Sequence, residues 1–165
     1  MVLKVGWFVA LASILFAGVC VAFSTNQQVK KNDQMATKVT GHLAFADEDW
    51  ASCEKSNREI LAKNPDDGEA WFYLGLAQHY QGEYVYGRDS FYRAISLGYR
   101  IPISYYNIAC TFARQGEFEQ AMKALENADL KGFPVRDFAM DDPDMEKLRK
   151  LQVFQDRFAI RPEKN

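Results

Sequence analysis

Hydrophobic and polar positions follow a helical period along most of this chain. Within residues 102–135, a first apolar stripe has the spacing i, i+3, i+4 and i+7, on Tyr105, Ile108, Ala109 and Phe112. Gln115-Gly116 interrupts this stripe, and a second one follows on Phe118, Ala121, Met122, Leu125 and Ala128. Sustained alternation of apolar and polar residues, the signature of a strand, is not found. The pattern predicts a helical hairpin and an all-α fold.

The hairpin pattern recurs with a period of 34 residues. Gln81-Gly82-Glu83-Tyr84 returns as Gln115-Gly116-Glu117-Phe118, and Gly98-Tyr99 returns as Gly132-Phe133. The period divides the chain into three adjoining blocks: 34–67, 68–101 and 102–135. Such a period is the signature of stacked helical repeats, in which neighbouring units bury one continuous core.

The residues at fixed positions of each block resemble the tetratricopeptide repeat family of bacterial type. The second block matches with Trp71, Leu74, Gly75, Phe91 and Ala94. The third carries conservative replacements, and the first is degenerate, with Gly41, Cys53, Ile60 and Pro65 kept. The resemblance implies a right-handed α-solenoid of about three hairpins with a concave groove. Small residues such as Gly75 and Gly87 are expected to let paired helices approach closely.

The last segment, residues 136–165, does not continue the repeat. Asp142-Pro143-Asp144 has the composition of a helix start, and an apolar stripe follows on Leu148, Leu151, Phe154 and Phe158. Because a solenoid must cover its last exposed face, we expect this segment to form a C-terminal cap on the third block.

The first 24 residues predict an export segment. From Val5 to Phe23 the chain carries no charge and no proline, and Lys4 precedes this run. Two interpretations stay open: a signal anchor that forms a membrane helix, or a signal peptide cleaved after Ser24. Both place the repeats outside the cytoplasm. We therefore expect a single-pass inner-membrane protein with a periplasmic repeat domain, or a soluble periplasmic or secreted one. Residues 25–33 read as a polar linker.

Composition and charge remove several function classes. The formal net charge is −2, so no basic footprint for nucleic acid is expected. Three cysteines without a CxxC pair are too few for a disulfide framework or a closed zinc site. Neither a nucleophile–base pair nor a phosphate loop is recognisable. We expect no catalytic residues, no cofactor and no metal, and therefore not an enzyme.

The resemblance also implies which side chains face the groove. They are mostly apolar and aromatic, with positive charge at two edges, and suit a peptide held by aromatic anchors. The predicted partner-binding residues are Lys38, His42, Phe45, Phe72, Leu76, His79, Tyr80, Ile103, Tyr106 and Arg114. The alternative is that Phe72, Leu76 and Tyr106 pack against the tail or a neighbouring repeat.

Histidines and a cysteine on the same face invite a metal or catalytic interpretation. His42, His79 and Cys110 fall on different first helices, which stand about 8–10 Å apart. The pattern places no acidic residue nearby to orient either histidine. The expected function is therefore non-catalytic protein or peptide binding, as an assembly or scaffolding factor of the cell envelope. The alternatives are a self-associating structural module and an accessory subunit of an envelope enzyme.

Overall fold

Helices follow one another in antiparallel pairs in the computed structural model, which describes the backbone of residues 5–158 and the side chains of residues 24–158. The predicted all-α class is confirmed for this range, which contains no strand. The helices are α1 Val5–Ala46, α2 Trp50–Lys63, α3 Gly68–Tyr80, α4 Tyr84–Ser96, α5 Ile101–Gln115, α6 Phe118–Leu130 and α7 Val135–Ala139. A 3-10 turn Pro143–Met145, α8 Glu146–Arg149 and α9 Gln152–Phe158 complete the order.

Each of the helices α1 to α6 packs mainly on its neighbours in the sequence. The end of α1 pairs with α2, α3 with α4, and α5 with α6, so the predicted helical hairpins are present. Polar caps begin two of these helices: the Asp49 side chain accepts from Ser52 N at 3.1 Å, and Asp67 accepts from Ala70 N at 3.0 Å. The aspartates fix where α2 and α3 start.

A left-handed residue ends the first helix of every hairpin. The φ angles are 57° at Glu48, 80° at Gly82 and 79° at Gly116, at 34-residue spacing. The same backbone hydrogen bond closes each turn: Asp49 N to Ala44 O at 2.8 Å, Glu83 N to Gln78 O at 2.8 Å, and Glu117 N to Phe112 O at 2.9 Å. Glycine accepts this backbone without strain, whereas Glu48 does not. The first hairpin therefore uses the same turn with a less suitable residue.

Two glycines set the close crossing of α3 and α4. A Cβ atom on Gly75 would lie 2.8 Å from the ring of Phe91, which is fully buried. On Gly87 it would lie 3.2 Å from the carbonyl oxygen of Gly75. The prediction that small residues at these positions allow close approach is confirmed, because any side chain there would push the helices apart.

Helix α1 corrects one prediction about the first part of the chain. Residues 25–33, predicted as a polar linker, are helical and continuous with the first hairpin. This stretch lacks glycine and proline, and Gln28 Nε2 donates to Asn32 Oδ1 at 3.1 Å, one turn on. An ion pair of 2.7 Å between Lys63 and Asp33 ties it to α2. Apolar periodicity does not predict this part of the helix, because an exposed helix needs no apolar stripe.

The predicted export segment, residues 1–24, lies almost entirely outside the residues whose side chains are described. In the described part of the chain, no helix has the length and apolar character needed to cross a membrane. Export, anchoring and cleavage therefore stay predictions.

The C-terminal segment packs on the third hairpin. Asp142 caps the 3-10 turn by accepting from Asp144 N, and Pro143 takes its first position, as predicted. Met145, Leu148, Phe154 and Phe158 are buried in the same cluster as Ile108 and Leu125 of α5 and α6. The apolar residues of the tail thus extend the core beyond the last repeat block, over the face that α5 and α6 would otherwise expose.

The Gly75–Phe91 contact makes a first testable prediction. Gly75→Ala should lower the free energy of unfolding by about 1–3 kcal/mol, because an added methyl overpacks a buried ring. Urea unfolding of the full-length protein in mild detergent, followed by far-UV circular dichroism, measures this change. Gln120→Ala, on the exposed face of α6, serves as the control and should shift stability by less than about 0.5 kcal/mol. A neutral or stabilising Gly75→Ala would contradict the crossing.

The three equivalent turns make a second prediction, with opposite signs. Gly82→Ala should lower the free energy of unfolding by about 1 kcal/mol, because alanine is strained at positive φ. Glu48→Gly should raise it by about 0.5 kcal/mol, because it relieves that strain at some entropic cost. The same urea unfolding measures both variants. Changes of equal sign would show that Glu48 does not hold the left-handed turn.

Candidate functional site

The predicted groove residues lie on the first helices of the three hairpins, and they divide into an open end and a closed end. Tyr80, His42 and Arg114 are exposed, whereas Phe72 and Tyr106 are 2% and 5% exposed. His79 is buried as well. Lys38, Phe45, Leu76 and Ile103 are half-buried.

At the closed end, the C-terminal segment lies over α3 and α5. We call Asp142, Pro143 and Asp144 the acidic loop. The hydroxyl of Tyr106 donates to Asp142 Oδ2 at 2.7 Å, and His79 Nε2 lies 2.6 Å from Asp144 Oδ2. This arrangement corresponds to the alternative in which groove residues pack against the tail. The role of Phe72, His79 and Tyr106 as partner contacts stays a prediction.

Protein donors face all four carboxylate oxygens of the acidic loop. Besides Tyr106 and His79, the backbone N of Asp144 donates to Asp142 Oδ1 at 2.8 Å, and Arg114 Nε lies 3.6 Å from Asp144 Oδ1. Burial, the neighbouring Cys110 and the bond to Asp142 raise the pKa of Tyr106, so its hydroxyl remains a donor. The loop is therefore held by directional bonds as well as by apolar packing.

One group of potential metal ligands lies in this loop. Ligand atoms of Cys110, Asp142 and Asp144 are all within 4.8 Å of one another. A metal would need the Cys110 thiolate, but burial and the charges of the two aspartates raise the pKa of this thiol far above its usual range. The carboxylates already accept from protein donors. The hydrogen-bond network accounts for the geometry of this group without an ion.

Both histidines have acidic neighbours, which corrects the sequence analysis. His79 contacts Asp144, and His42 Nε2 lies 3.7 Å from Glu69 Oε1. The repeat register could not reveal the first contact, because Asp144 belongs to the tail; the second joins the first helices of adjacent hairpins, α1 and α3. In each case a carboxylate lies within reach of the histidine Nε2 atom.

Lys38, predicted at one edge of the groove, is paired within the chain. Its ammonium lies 2.9 Å from Asp67 and 2.8 Å from Glu69. Burial lowers the pKa of Lys38, but the hydrogen bonds to Glu69 and Asp67 outweigh it and the pKa is raised. Lys38 is therefore charged and already neutralised, which leaves little positive charge at this edge for a partner.

The open end carries a cluster of rings, which we call the aromatic surface: Phe45, Trp50, Tyr73 and Tyr80. Trp50 and Tyr80 stack with ring centroids 4.3 Å apart and 17° between their planes. Phe45 meets Trp50 and Tyr73 edge to face, at 5.5 and 5.3 Å. Tyr80 is nevertheless 56% exposed. Flat rings that are held in place and still reach solvent are suited to contact with a partner.

Two residues of the aromatic surface, Phe45 and Tyr80, are among the predicted partner-binding residues. The other two, Trp50 and Tyr73, are not. The repeat offered a signal for Trp50. A shift of 34 turns the Phe45–Trp50 pair into His79–Tyr84, whose rings are also in contact, at 5.6 Å. The start of each second helix therefore reaches back to the end of the first. Groove positions taken from first helices alone could not include it.

A small polar cavity lies beyond the closed end. It has a volume of about 270 Å³ and is lined by Tyr84, Ala113, Arg114, Pro143, Asp144, Glu146 and Lys147. Arg114 Nε lies 3.1 Å from the Tyr84 hydroxyl, so α5 and the tail together shape this cavity. Its lining mixes both charge signs and does not favour one ligand class.

Comparison with known proteins gives a likeness of fold. No protein-family model matches this chain, and no curated protein matches it either. Among solved structures, it is similar to a chain described as "CopN-Scc3 complex", with a TM-score of 0.58 and 24% sequence identity. The match covers 76% of this chain and 69% of that chain. At this identity the likeness shows the fold alone.

The closed end makes a third prediction. Tyr106→Phe should lower the free energy of unfolding by about 1–2 kcal/mol, because it removes a donor from a partly buried carboxylate. Tyr92→Phe is the matched control: Tyr92 is 47% exposed, and its hydroxyl has no hydrogen bond within the described residues. Urea unfolding of the full-length protein compares the two. Equal effects would contradict the role of Tyr106 in holding the acidic loop.

Proposed function

We propose that this protein is a non-catalytic protein-interaction module. In this proposal it is a right-handed solenoid of three tetratricopeptide-like hairpins with a C-terminal cap. Its inner face binds a segment of a partner protein. The observation that carries the proposal is the aromatic surface, where rings packed at their edges stay open to solvent. Stacked rings of this kind are typical anchors of protein interfaces.

The repeated turns support the solenoid. Left-handed residues at 34-residue spacing, each closed by the same hydrogen bond, give the three hairpins a common geometry. Units that repeat in this way stack with a constant rotation and form an extended inner surface. The likeness to a solved chain of a two-protein complex supports the same fold. The similarity does not identify the partner of the present protein.

The state of the described thiols and of Tyr106 supports a non-catalytic role. Cys53 and Cys110 are buried, and burial raises the pKa of Cys53 to about 11. Nucleophilic catalysis needs a thiolate with a lowered pKa and access to substrate. The Tyr106 hydroxyl is likewise kept protonated. These groups have the properties of core and interface residues.

We place this module in the cell envelope. The uncharged run Val5 to Phe23 behind Lys4 supports export, either as an anchored inner-membrane protein or as a periplasmic or secreted one. In that location the module would act as an assembly or scaffolding factor.

Self-association is the second candidate function, and a specific surface favours it. Met35, Val39 and Leu43 recur every four residues on α1 and are 61%, 52% and 60% exposed. This spacing keeps them on adjoining parts of one helix face. Exposed apolar stripes of this kind mark interaction surfaces. A second copy of the chain is one partner that would cover it.

The two candidates make a fourth prediction, by photo-cross-linking in native membranes. A photoreactive amino acid at position 80, in place of Tyr80, should give one discrete adduct with a different protein. The same group at position 92, on α4, should not. Phe45→Ala in the Tyr80-substituted protein should lower the adduct yield about fivefold or more, because it removes a neighbouring anchor. An adduct of twice the chain mass would favour self-association, and no adduct at position 80 would contradict binding at the inner face.

A further inference from the structure

The first turn leaves negative charge beside the aromatic surface. Asp47, Glu48 and Asp49 are consecutive and exposed. Asp49 is used as the cap of α2. Among the described residues, no cationic side chain forms an ion pair with Asp47 or Glu48. Elsewhere on this face, Asp67 and Glu69 share an ion-paired ammonium, that of Lys38.

The turn leads directly into Trp50, whose ring stacks on Tyr80 at 4.3 Å. Burial raises the pKa of Tyr80, and so do, in decreasing order, the electrostatic interactions with Asp144, Asp142, Cys110 and Glu48. The Tyr80 hydroxyl has no hydrogen-bond partner within the described residues. Asp142 and Asp144 are satisfied by Tyr106, His79 and the loop itself, whereas Glu48 is not. The turn beside Trp50 of the ring stack therefore carries two carboxylates, Asp47 and Glu48, without an ion pair among the described residues.

The backbone at Glu48 fixes where this carboxylate is held. The equivalent residues of the other hairpins are Gly82 and Gly116, and all three have positive φ. Glutamate in this conformation costs about 1 kcal/mol relative to glycine. Strain of this kind is found where a side chain is needed at a defined place. Here it puts a carboxylate at the tip of the turn that leads into Trp50.

We propose that the aromatic surface, together with Glu48 and Asp47, binds a basic segment of the partner protein, and that an arginine side chain stacks on the Trp50–Tyr80 pair. A planar guanidinium stacks on aromatic rings while donating hydrogen bonds to a carboxylate at its edge. A lysine can make the charge interaction but not the planar stack. This inference rests on the proposed function and adds the chemistry of the partner to it.

The charge pattern argues against an acidic partner segment at the same place. Two positive groups predicted for the groove already have acidic neighbours: Lys38 contacts Asp67 and Glu69, and Arg114 lies 3.6 Å from Asp144 Oδ1. An acidic segment would meet Glu48 and Asp47 without a free cation to offset them. Like charges at close range disfavour binding, so the surface selects by repulsion as well as attraction.

Fluorescence anisotropy of the full-length protein in mild detergent tests this proposal at low salt. The probes are three fluorescein-labelled peptides in a Gly-Ser background that carry two arginines, two lysines or two glutamates. We expect the arginine peptide to bind about tenfold more tightly than the glutamate peptide. The lysine peptide should bind with intermediate affinity, and raising the salt should weaken both basic peptides.

Variants of the turn and the ring stack identify the site. Glu48→Gln should weaken the arginine peptide about threefold, since one exposed ion pair is lost. Glu48→Gly should do the same while the turn is relaxed, which separates loss of charge from loss of fold. Tyr80→Ala should weaken it about fivefold. Glu126→Gln and Tyr92→Ala, exposed on α6 and α4, are the matched controls and should leave affinity unchanged.

The outcomes separate this inference from the proposed function. Equal or tighter binding of the glutamate peptide would overturn it, as would unchanged affinity in both Glu48 variants. If the peptide test fails but a different protein still cross-links from position 80, the proposed interaction function is supported and the basic character of the partner is contradicted. Arginine-peptide binding lost in the Glu48 and Tyr80 variants, but not in the controls, would support the inference. This holds even if no partner cross-links from native membranes.

Discussion

A tight left-handed turn, repeated every 34 residues, is the constraint on which the rest of this structure depends. It reverses the chain within three residues, so the second helix of each hairpin must pack on the first at once. Such close packing of the two helices is possible only where side chains are small, as at Gly75 and Gly87. Large residues such as Phe91 fill the space beside the crossing. The turn also brings the start of each second helix to the inner face, where Trp50 meets Phe45 and Tyr84 meets His79.

The repeating part of this fold could be predicted from the sequence because its physics is local. Apolar spacing, turn glycines and small residues at crossings each act within one hairpin, and the period multiplies the signal. The exposed part of α1 could not be predicted in the same way. Residues 25–33 form helix without an apolar stripe, and their support comes from a distant pair, Lys63 with Asp33. A search for periodic apolar residues detects helices with a buried face, and residues 25–33 are exposed.

The candidate site was harder to predict, since it depends on contacts between segments far apart in the chain. The register predicted Tyr80 and Phe45 as groove residues; in the structure Tyr80 is exposed and Phe45 is half-buried. It could not show that Asp142 and Asp144 would reach Tyr106 and His79, because the tail lies outside the repeat. Nor could it show that Trp50, which follows the first turn, stacks on Tyr80. Those contacts decide which part of the inner face is closed and which is open.

The closed end and the open end use carboxylates in opposite ways. At the closed end, two half-buried carboxylates meet donors from α3, α5 and the loop itself, so their hydrogen-bonding capacity is used within the chain and the loop is fixed. At the open end, Glu48 has no such donor among the described residues and occupies a backbone conformation that disfavours it. Balanced charges hold a structure together and need nothing further from solvent or partner. A carboxylate without a partner, kept at an energetic cost in the turn that leads into Trp50, is stabilised when a cation arrives. The same chemical group therefore fixes the tail at one end of the stacked hairpins and, in the proposed function, attracts a partner at the other.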